Sequence, residues 1–354
     1  MGTPDPDFTI LAIETSCDET AAAVVRGGRT ILANVVASQL DIHQRFGGVV
    51  PEVASRQHML SLVPVVEEAL QAVPGGWAGV HAVAATRGPG LSGALLTGLN
   101  AAKAIAWQRG LPFVAVNHLE AHIYASWLEQ GSAGAPEFPL LALIVSGGHT
   151  LLALLRGHGD YTLLGQTRDD AVGEAFDKVA RILGLGYPGG PAIQQAALER
   201  AARITLPRAW LRESFDFSFS GLKTAVLHRV QEQRDRQATT SSRPQDTAPP
   251  LDRLFVAQIA HAFQESVVDV LVSKSVDAAI RYHAAEIVLA GGVAANLRLR
   301  EELVQRSPVP VRRPALALCT DNAAMVAAAA FYRFAAGLGS DWSSDVSPSL
   351  PLGA

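Results

Sequence analysis

The feature that most constrains this chain is that it repeats a plan. Thr9 to Ile13 is a short apolar run with strand composition, broken by the polar loop Glu14-Thr15-Ser16-Cys17-Asp18-Glu19-Thr20. Ala21 to Val25 resumes a strand, and Arg26-Gly27-Gly28-Arg29 turns it into a third, Thr30 to Val36. The same order returns with Leu141 to Val145, the loop Ser146-Gly147-Gly148-His149-Thr150, Leu151 to Leu155, and a turn at Arg156–Asp160 into Tyr161 to Leu164. At an offset of 130, Ser16 meets Ser146, Thr20 meets Thr150, Arg26 meets Arg156 and Gly27 meets Gly157, all on equivalent loop and turn positions. The pattern predicts an internal duplication in which each half opens on antiparallel strands.

Two such lobes resemble the superfamily of actin, hexokinase and heat-shock chaperone ATPases, and imply an α/β, two-lobed fold with duplicated RNase H-like lobes. In that fold the two polar turns face each other across a cleft. A Ser-Gly-Gly turn can aim several backbone N–H groups at one anion, although most such turns are only turns. At 354 residues the chain is long for one core, so two lobes are also expected from size. We expect residues 1–135 in the first lobe with 321–340 packing back on it, 136–320 in the second, and 231–250 as a flexible insertion, because that stretch is polar and Pro-containing.

His118-Leu119-Glu120-Ala121-His122 follows the apolar run Leu111 to Val116, with Asn117 placed to cap a helix. Residues four apart share a helix face, so both imidazoles point the same way and can ligate one divalent ion. Glu120 lies on the other side, which departs from the zinc-protease pattern, where the Glu directly follows the first His. A His pair at this spacing also arises by chance; a third donor is needed, and Asp321 in Cys319-Thr320-Asp321-Asn322 is the candidate.

Other segments read less specifically. Gly47-Gly48 before Pro51 suggests a mobile connection, and Arg87-Gly88-Pro89-Gly90 opens a helix either as an anion site or through tight packing. Pro64 should break or kink the helix after Val53. Asp177 lies either on a solvated helix face or at a ligand. Leu185-Gly186-Tyr187-Pro188-Gly189-Gly190-Pro191 reads as a rigid turn, Phe215 to Thr224 as an edge strand, and Asn296 after Gly291-Gly292 as a helix cap that can also face a nucleoside. Only Cys17 and Cys319 are present, so no disulfide framework is expected and a reducing cytoplasm is. Met1–Phe8 is unlike a signal peptide and no uncharged apolar stretch is long enough to cross a bilayer. The net charge of −4 gives no global support for nucleic-acid binding.

Taken in order, these motifs resemble one family, the TsaD proteins or tRNA N(6)-adenosine threonylcarbamoyltransferases. They are Ile13–Thr20, Pro51–Arg56, Asn117–His122, Val145–Thr150, Gly173–Lys178, Tyr187–Pro191, Phe217–Lys223, Gly291–Asn296 and Cys319–Asn322. They run over nearly the whole chain; the polar stretch 231–250 is the departure. The resemblance implies transfer of a threonylcarbamoyl group from threonylcarbamoyl-adenylate to the adenosine beside the anticodon of tRNAs reading ANN codons, with release of AMP. It further implies that His118, His122 and Asp321 hold one divalent ion, Fe2+ or Zn2+ with iron expected, and that Ile144, Val145, Ser146, Gly147, Gly148, Asp177, Gly190 and Asn296 line the adenylate site. Asp18 is the candidate acid–base group. A TsaB-like paralogue and a TsaE-like ATPase are the implied partners. The competing readings are a kinase or ATPase of the same fold, a metallopeptidase and a non-catalytic scaffold; acceptor-dependent phosphoryl transfer or chelator-sensitive proteolysis would mark the first two.

Overall fold

A computed structural model describes residues 5–128, 136–199, 204–240 and 251–354. The first half forms β1 (Thr9–Glu14), β2 (Glu19–Arg26), β3 (Thr30–Ser38), α1 (Leu40–His43), α2 (Pro51–Gln71), β4 (Ala82–Gly88), α3 (Ser92–Arg109), β5 (Phe113–Asn117) and α4 (His118–Tyr124). The second half forms β6 (Leu140–Val145), β7 (Thr150–Gly157), β8 (Asp160–Gln166), α5 (Val172–Leu183), α6 (Gly189–Ala197), α7 (Ser220–Thr240), α8 (Arg253–Arg281), β9 (Glu286–Ala290), α9 (Leu297–Arg306), β10 (Val311–Arg312) and α10 (Ala323–Ala335).

The strands make two sheets of one topology, β3-β2-β1-β4-β5 and β8-β7-β6-β9-β10, each with an antiparallel three-strand start and a parallel pair beyond it. The duplication seen in the sequence is therefore a duplication of topology. β1 and β6 are buried at every position, which is why they read as unbroken apolar runs and not as alternating ones.

Alternate residues of each sheet enter different layers. Leu11, Ile13, Val83 and Ala85 pack outward with α2 and α3, while Ile10, Ala12, Ala82 and Ala84 face inward. In the second sheet Leu141, Leu143 and Val145 face α5 to α9, and Leu140, Ala142 and Ile144 face inward. Both inward faces share one core with α4 and α10. A helix squeezed between two sheets must be apolar on every side and slim. The run of small residues Ala323–Ala330 in α10 supplies that, with nothing exposed along it.

Several expectations are corrected. α7 is a helix through Thr240, so the stretch expected as a flexible insertion is helical over 231–240, and its remainder, 241–250, lies outside the described residues. The predicted edge strand at Phe215–Thr224 is a single bridge, Phe217 to Thr167, followed by the start of α7. Phe217 and Phe219 are both buried under that helix, so the alternation marks an anchored loop. α2 runs through Pro64 unbroken, and α6 begins at Gly189 inside the predicted rigid turn. The Gly47 segment is tied across to the second half by Arg181 Nη2 donating to Gly47 O at 2.7 Å and Gln44 Nε2 to Tyr187 O at 2.9 Å. α8 alone among the described helices has the length and apolar composition to cross a membrane, but 67% of its most apolar stretch is buried in the second lobe.

One charge pair sits inside the middle layer. Arg333 Nη1 of α10 donates to Glu120 Oε2 of α4 at 2.8 Å, and the Glu120 side chain is wholly buried. Losing one partner of such a pair strands the other charge. We predict that Arg333→Ala costs about 3–5 kcal/mol, read as a lowered urea midpoint, and that Glu120→Leu with Arg333→Met recovers most of it.

Candidate metal centre and the pocket beside it

The metal-site candidates converge where one face of α4 meets the N-terminal end of α10. Asn117 caps α4 by accepting from the N–H groups of Leu119 (2.9 Å) and Glu120 (3.3 Å), and Asn322 caps α10 by accepting from Met325 N at 3.0 Å. Asp321 directly precedes that second cap. Asp321 Oδ1 lies 3.2 Å from His122 Nε2 and 3.6 Å from His118 Nε2, and the three ligand atoms fall within 4.8 Å of one another. Donors each about 2 Å from a single ion stand about 3–4 Å apart, so the spacing fits one metal. Both ring nitrogens of His122 are buried without a hydrogen-bond partner, so the imidazole is free to ligate an ion through the Nε2 that faces Asp321.

His118 is oriented from behind. Its Nδ1 lies 3.1 Å from Ser16 Oγ and 3.3 Å from Glu14 Oε2, which leaves Nε2 facing Asp321. Glu14 is fully buried and also accepts from Ser16 N at 2.5 Å and Thr86 Oγ1 at 2.6 Å. Burial alone would lower the His118 pKa, but Asp321 and Glu14 outweigh it and raise it. Burial would raise Asp321, and the two imidazoles bring it below the usual carboxylate range. The cluster thus holds a proton that a divalent cation displaces. Glu120 lies on the far face of α4 in its pair with Arg333, so it is no general base for a peptidase.

A pocket of about 410 Å³ opens beside Asp321, within the range of small-molecule sites. Ser146, Gly147, Asp177, Gly190, Asn296 and Asp18 all line it. A Cβ on Gly147, Gly190 or Gly292 would meet nothing within 4 Å, so at these positions the glycines leave space that packing does not claim. Gly291 differs: its φ is +91°, and a Cβ there would lie 2.4 Å from Val145 O.

Asp177 Oδ1 accepts from Gly189 N at 2.7 Å, and burial raises its pKa. Asn296 caps α9 by accepting from Leu299 N and donates Nδ2 to Gln264 Oε1, both at 2.9 Å.

Three predicted members stand apart. Ile144 and Val145 are fully buried within β6 and do not line the pocket, and Gly148 is exposed outside its wall. The loop Arg87–Gly90 is a packing device: a Cβ on Gly90 would lie 2.5 Å from Ser16 O.

Two groups were not singled out by the sequence. Glu19 lies on the pocket wall with Oε1 accepting from Ser38 Oγ at 2.9 Å and Oε2 buried without a partner. Burial pushes its pKa from 4.5 to about 7. His149 is kept neutral by burial and by the nearby His118 and His122, its pKa lowered to about 4. Only the adjacency of Asp18 and Glu19 hinted at the first, and nothing in the spacing marked the second.

A family profile described as tRNA N6-adenosine threonylcarbamoyltransferase, TsaD, matches residues 30–328. A relative of that name from Thermomicrobium roseum is 56% identical over 353 residues, covering 97% of this chain and 96% of its own. One from Dehalococcoides mccartyi is 53% identical over 343 residues, covering 97% and 99%.

The chain belongs to the TsaD family.

Among solved structures, T. kodakarensis HypF aligns with a TM-score of 0.57 at 13% identity over 96% of this chain and 49% of its own. Component A of the Acidaminococcus fermentans (R)-2-hydroxyglutaryl-CoA dehydratase gives 0.52 at 15% identity, covering 93% and 99%. These likenesses concern the fold, which is the two-lobed ATPase-like architecture expected.

Glu19 carries a pH signature. The folded protein keeps its proton up to about pH 7, whereas the unfolded chain loses it near 4.5. The fold binds more protons across that window, so stability falls as pH rises through it. Urea midpoints measured over this range should decline more in the wild type than in Glu19→Gln; equal slopes would show that Glu19 ionises normally.

Proposed function

We propose that this TsaD-family chain transfers an L-threonylcarbamoyl group from threonylcarbamoyl-adenylate to the N6 amine of the adenosine beside the anticodon in tRNAs reading ANN codons, releasing AMP. The observation that carries this reading is a pocket of nucleotide size whose wall includes a metal-ligand candidate, Asp321, in a chain 56% identical to a relative of that name.

The chemistry fits the side chains present. An acyl-adenylate is already activated, so no nucleophilic Ser or Cys is required, and the half-buried Cys17 and buried Cys319 both have thiol pKa values raised by desolvation. The N6 nitrogen attacks the carbamoyl carbon, the bond from that carbon to the phosphate oxygen breaks, and AMP departs. The amine must lose a proton. Asp18 was the first candidate acceptor; Glu19 beside it, with a free oxygen and a pKa near operating pH, is the better one.

Asp177 would accept from ribose hydroxyls and the Gly147 N–H would serve the phosphate, the Ser146 N–H being spent within the turn on His149 O at 2.8 Å. His118, His122 and Asp321 would hold one divalent ion, which when bound polarises or orients the carbamoyl group. Two imidazoles and one carboxylate suit iron, with zinc as the alternative.

With a net charge of −4, local basic groups or partner subunits must attract tRNA. Met59, Leu60 and Val63 on α2 are 70%, 72% and 61% exposed and give an apolar face for a TsaB-like paralogue. A TsaE-like ATPase and a cytoplasmic setting complete the proposal.

The test is mass analysis of tRNA nucleosides after incubation with threonine, bicarbonate, ATP, the adenylate-forming enzyme and this chain with its partner subunits. We expect threonylcarbamoyladenosine with the wild type, and none with His118→Ala/His122→Ala, which should remain folded and metal-free. Full modification by that double variant would remove the metal from the mechanism. ATP-dependent phosphorylation of a small acceptor instead would favour the kinase reading.

A further inference from the structure

The pocket has two working sides carried by different loops. One is the turn Gly291–Asn296, leading into α9. The other is the stretch Ala315–Asp321, which enters α10 and carries the third metal-ligand candidate. These loops belong to different elements, and backbone hydrogen bonds hold each within itself: Ala294 N to Gly291 O at 2.9 Å in the first, Leu318 N to Ala315 O at 2.9 Å in the second.

A single guanidinium spans them. Arg300, one turn into α9, donates through Nε to Ala294 O at 2.6 Å. Its Nη2 donates to Pro314 O and to Cys319 Sγ, the latter at 3.2 Å. Cys319 is fully buried and in turn donates to Ala315 O at 3.5 Å. The thiol, two residues before Asp321, therefore works as a relay between the arginine and the backbone at Ala315.

We propose that Arg300 is a positioning residue that fixes the distance between the Gly291–Asn296 wall and Asp321, so that the nucleotide side and the metal side of the pocket are held as one unit. A planar fork with several fixed donors can set such a distance, whereas an ammonium on a flexible stem cannot. Arg300 makes none of the expected metal contacts and does not line the pocket. Its influence is on geometry. Outer groups that orient metal ligands change metal affinity by about 10–100-fold when removed. The nucleotide arm of this inference rests on the proposed adenylate pocket; the metal arm rests only on the His118, His122 and Asp321 cluster.

The test uses Co2+, whose visible spectrum reports ligand geometry, and adenosine, which has no phosphate to reach the ion directly. Both are titrated into the full chain and into Arg300→Met, Arg300→Lys and Cys319→Ala. Arg300→Met should bind Co2+ about 10–100-fold more weakly, with a shifted visible band, and should lose adenosine affinity in parallel. Arg300→Lys should fall between it and the wild type. Cys319→Ala keeps the grip on Ala294 and Pro314, so it should weaken Co2+ while leaving adenosine unchanged.

Wild-type Co2+ affinity and spectrum in a cooperatively folded Arg300→Met protein would overturn the inference, even if that protein were less stable. Should Arg300→Met fail to fold, unchanged Co2+ binding by Cys319→Ala would overturn it instead. Failure of adenosine to bind the wild type would contradict the pocket reading, and the Co2+ titrations would still decide the role of Arg300.

Discussion

The structure depends on burying two helices, α4 and α10, between two sheets. Neither has a solvent face along its central run: all seven residues of α4 are buried, as are Ala323–Phe331 of α10. Such a layer requires narrow helices, and each polar group within it left without a partner is costly. The alanines of α10 meet the first condition, and the Glu120–Arg333 pair meets the second only in part, since Glu120 Oε1 and both His122 ring nitrogens stay unpartnered. Once the layer forms, the N-terminal ends of both helices are fixed where the two sheets diverge. His118 opens α4, His122 stands one turn further along it, and Asp321 precedes the cap of α10. The candidate metal cluster is thus a consequence of the packing.

That placement also explains the division of labour around the site. The first sheet supplies Glu14 from the end of β1, Ser16 and Asp18 from the turn that follows, and Glu19 from the start of β2. The second supplies Ser146, Gly147 and His149 from the equivalent turn after β6. The duplicated turns have diverged: one carries carboxylates, the other glycines. An acid-rich turn suits handling a proton and orienting an imidazole, whereas a glycine-rich one suits contact with an anionic ligand. The pocket lies between them, closed on its remaining side by α5, α6 and the Gly291–Asn296 turn.

Much of this was legible because it is local. The β-hairpin pairs show in apolar runs and Gly-rich turns, and the His pair shows in helical spacing. Asn117 and Asn296 could be read as caps from position alone. What was not legible is mostly contact between distant segments. Glu120 reads as an ordinary helix glutamate until Arg333, 213 residues away, is brought against it.

Other failures came from composition. The stretch Gln231 to Thr240 is too polar to bury, and so it read as disordered. Its Glu, Gln and Arg residues are nevertheless good helix formers, and they extend a helix already anchored at Leu222, Val226 and Val230. The Phe215–Phe219 alternation reflected two aromatic anchors on one side of a loop. Ile144 and Val145 belong to a motif but serve the strand that presents its turn. Glu19 was overlooked because its unusual property, a buried oxygen without a partner, exists only in the folded chain.

The central claim is that packing of α4 against α10 assembles one metal site at the pocket edge. Anomalous diffraction from crystals of the metal-loaded protein, recorded on both sides of the metal's absorption edge, tests it most directly. The account predicts one peak per chain, about 2 Å from His118 Nε2, His122 Nε2 and an Asp321 oxygen. A peak at other side chains, or none at this cluster in a protein that carries stoichiometric metal, would contradict it.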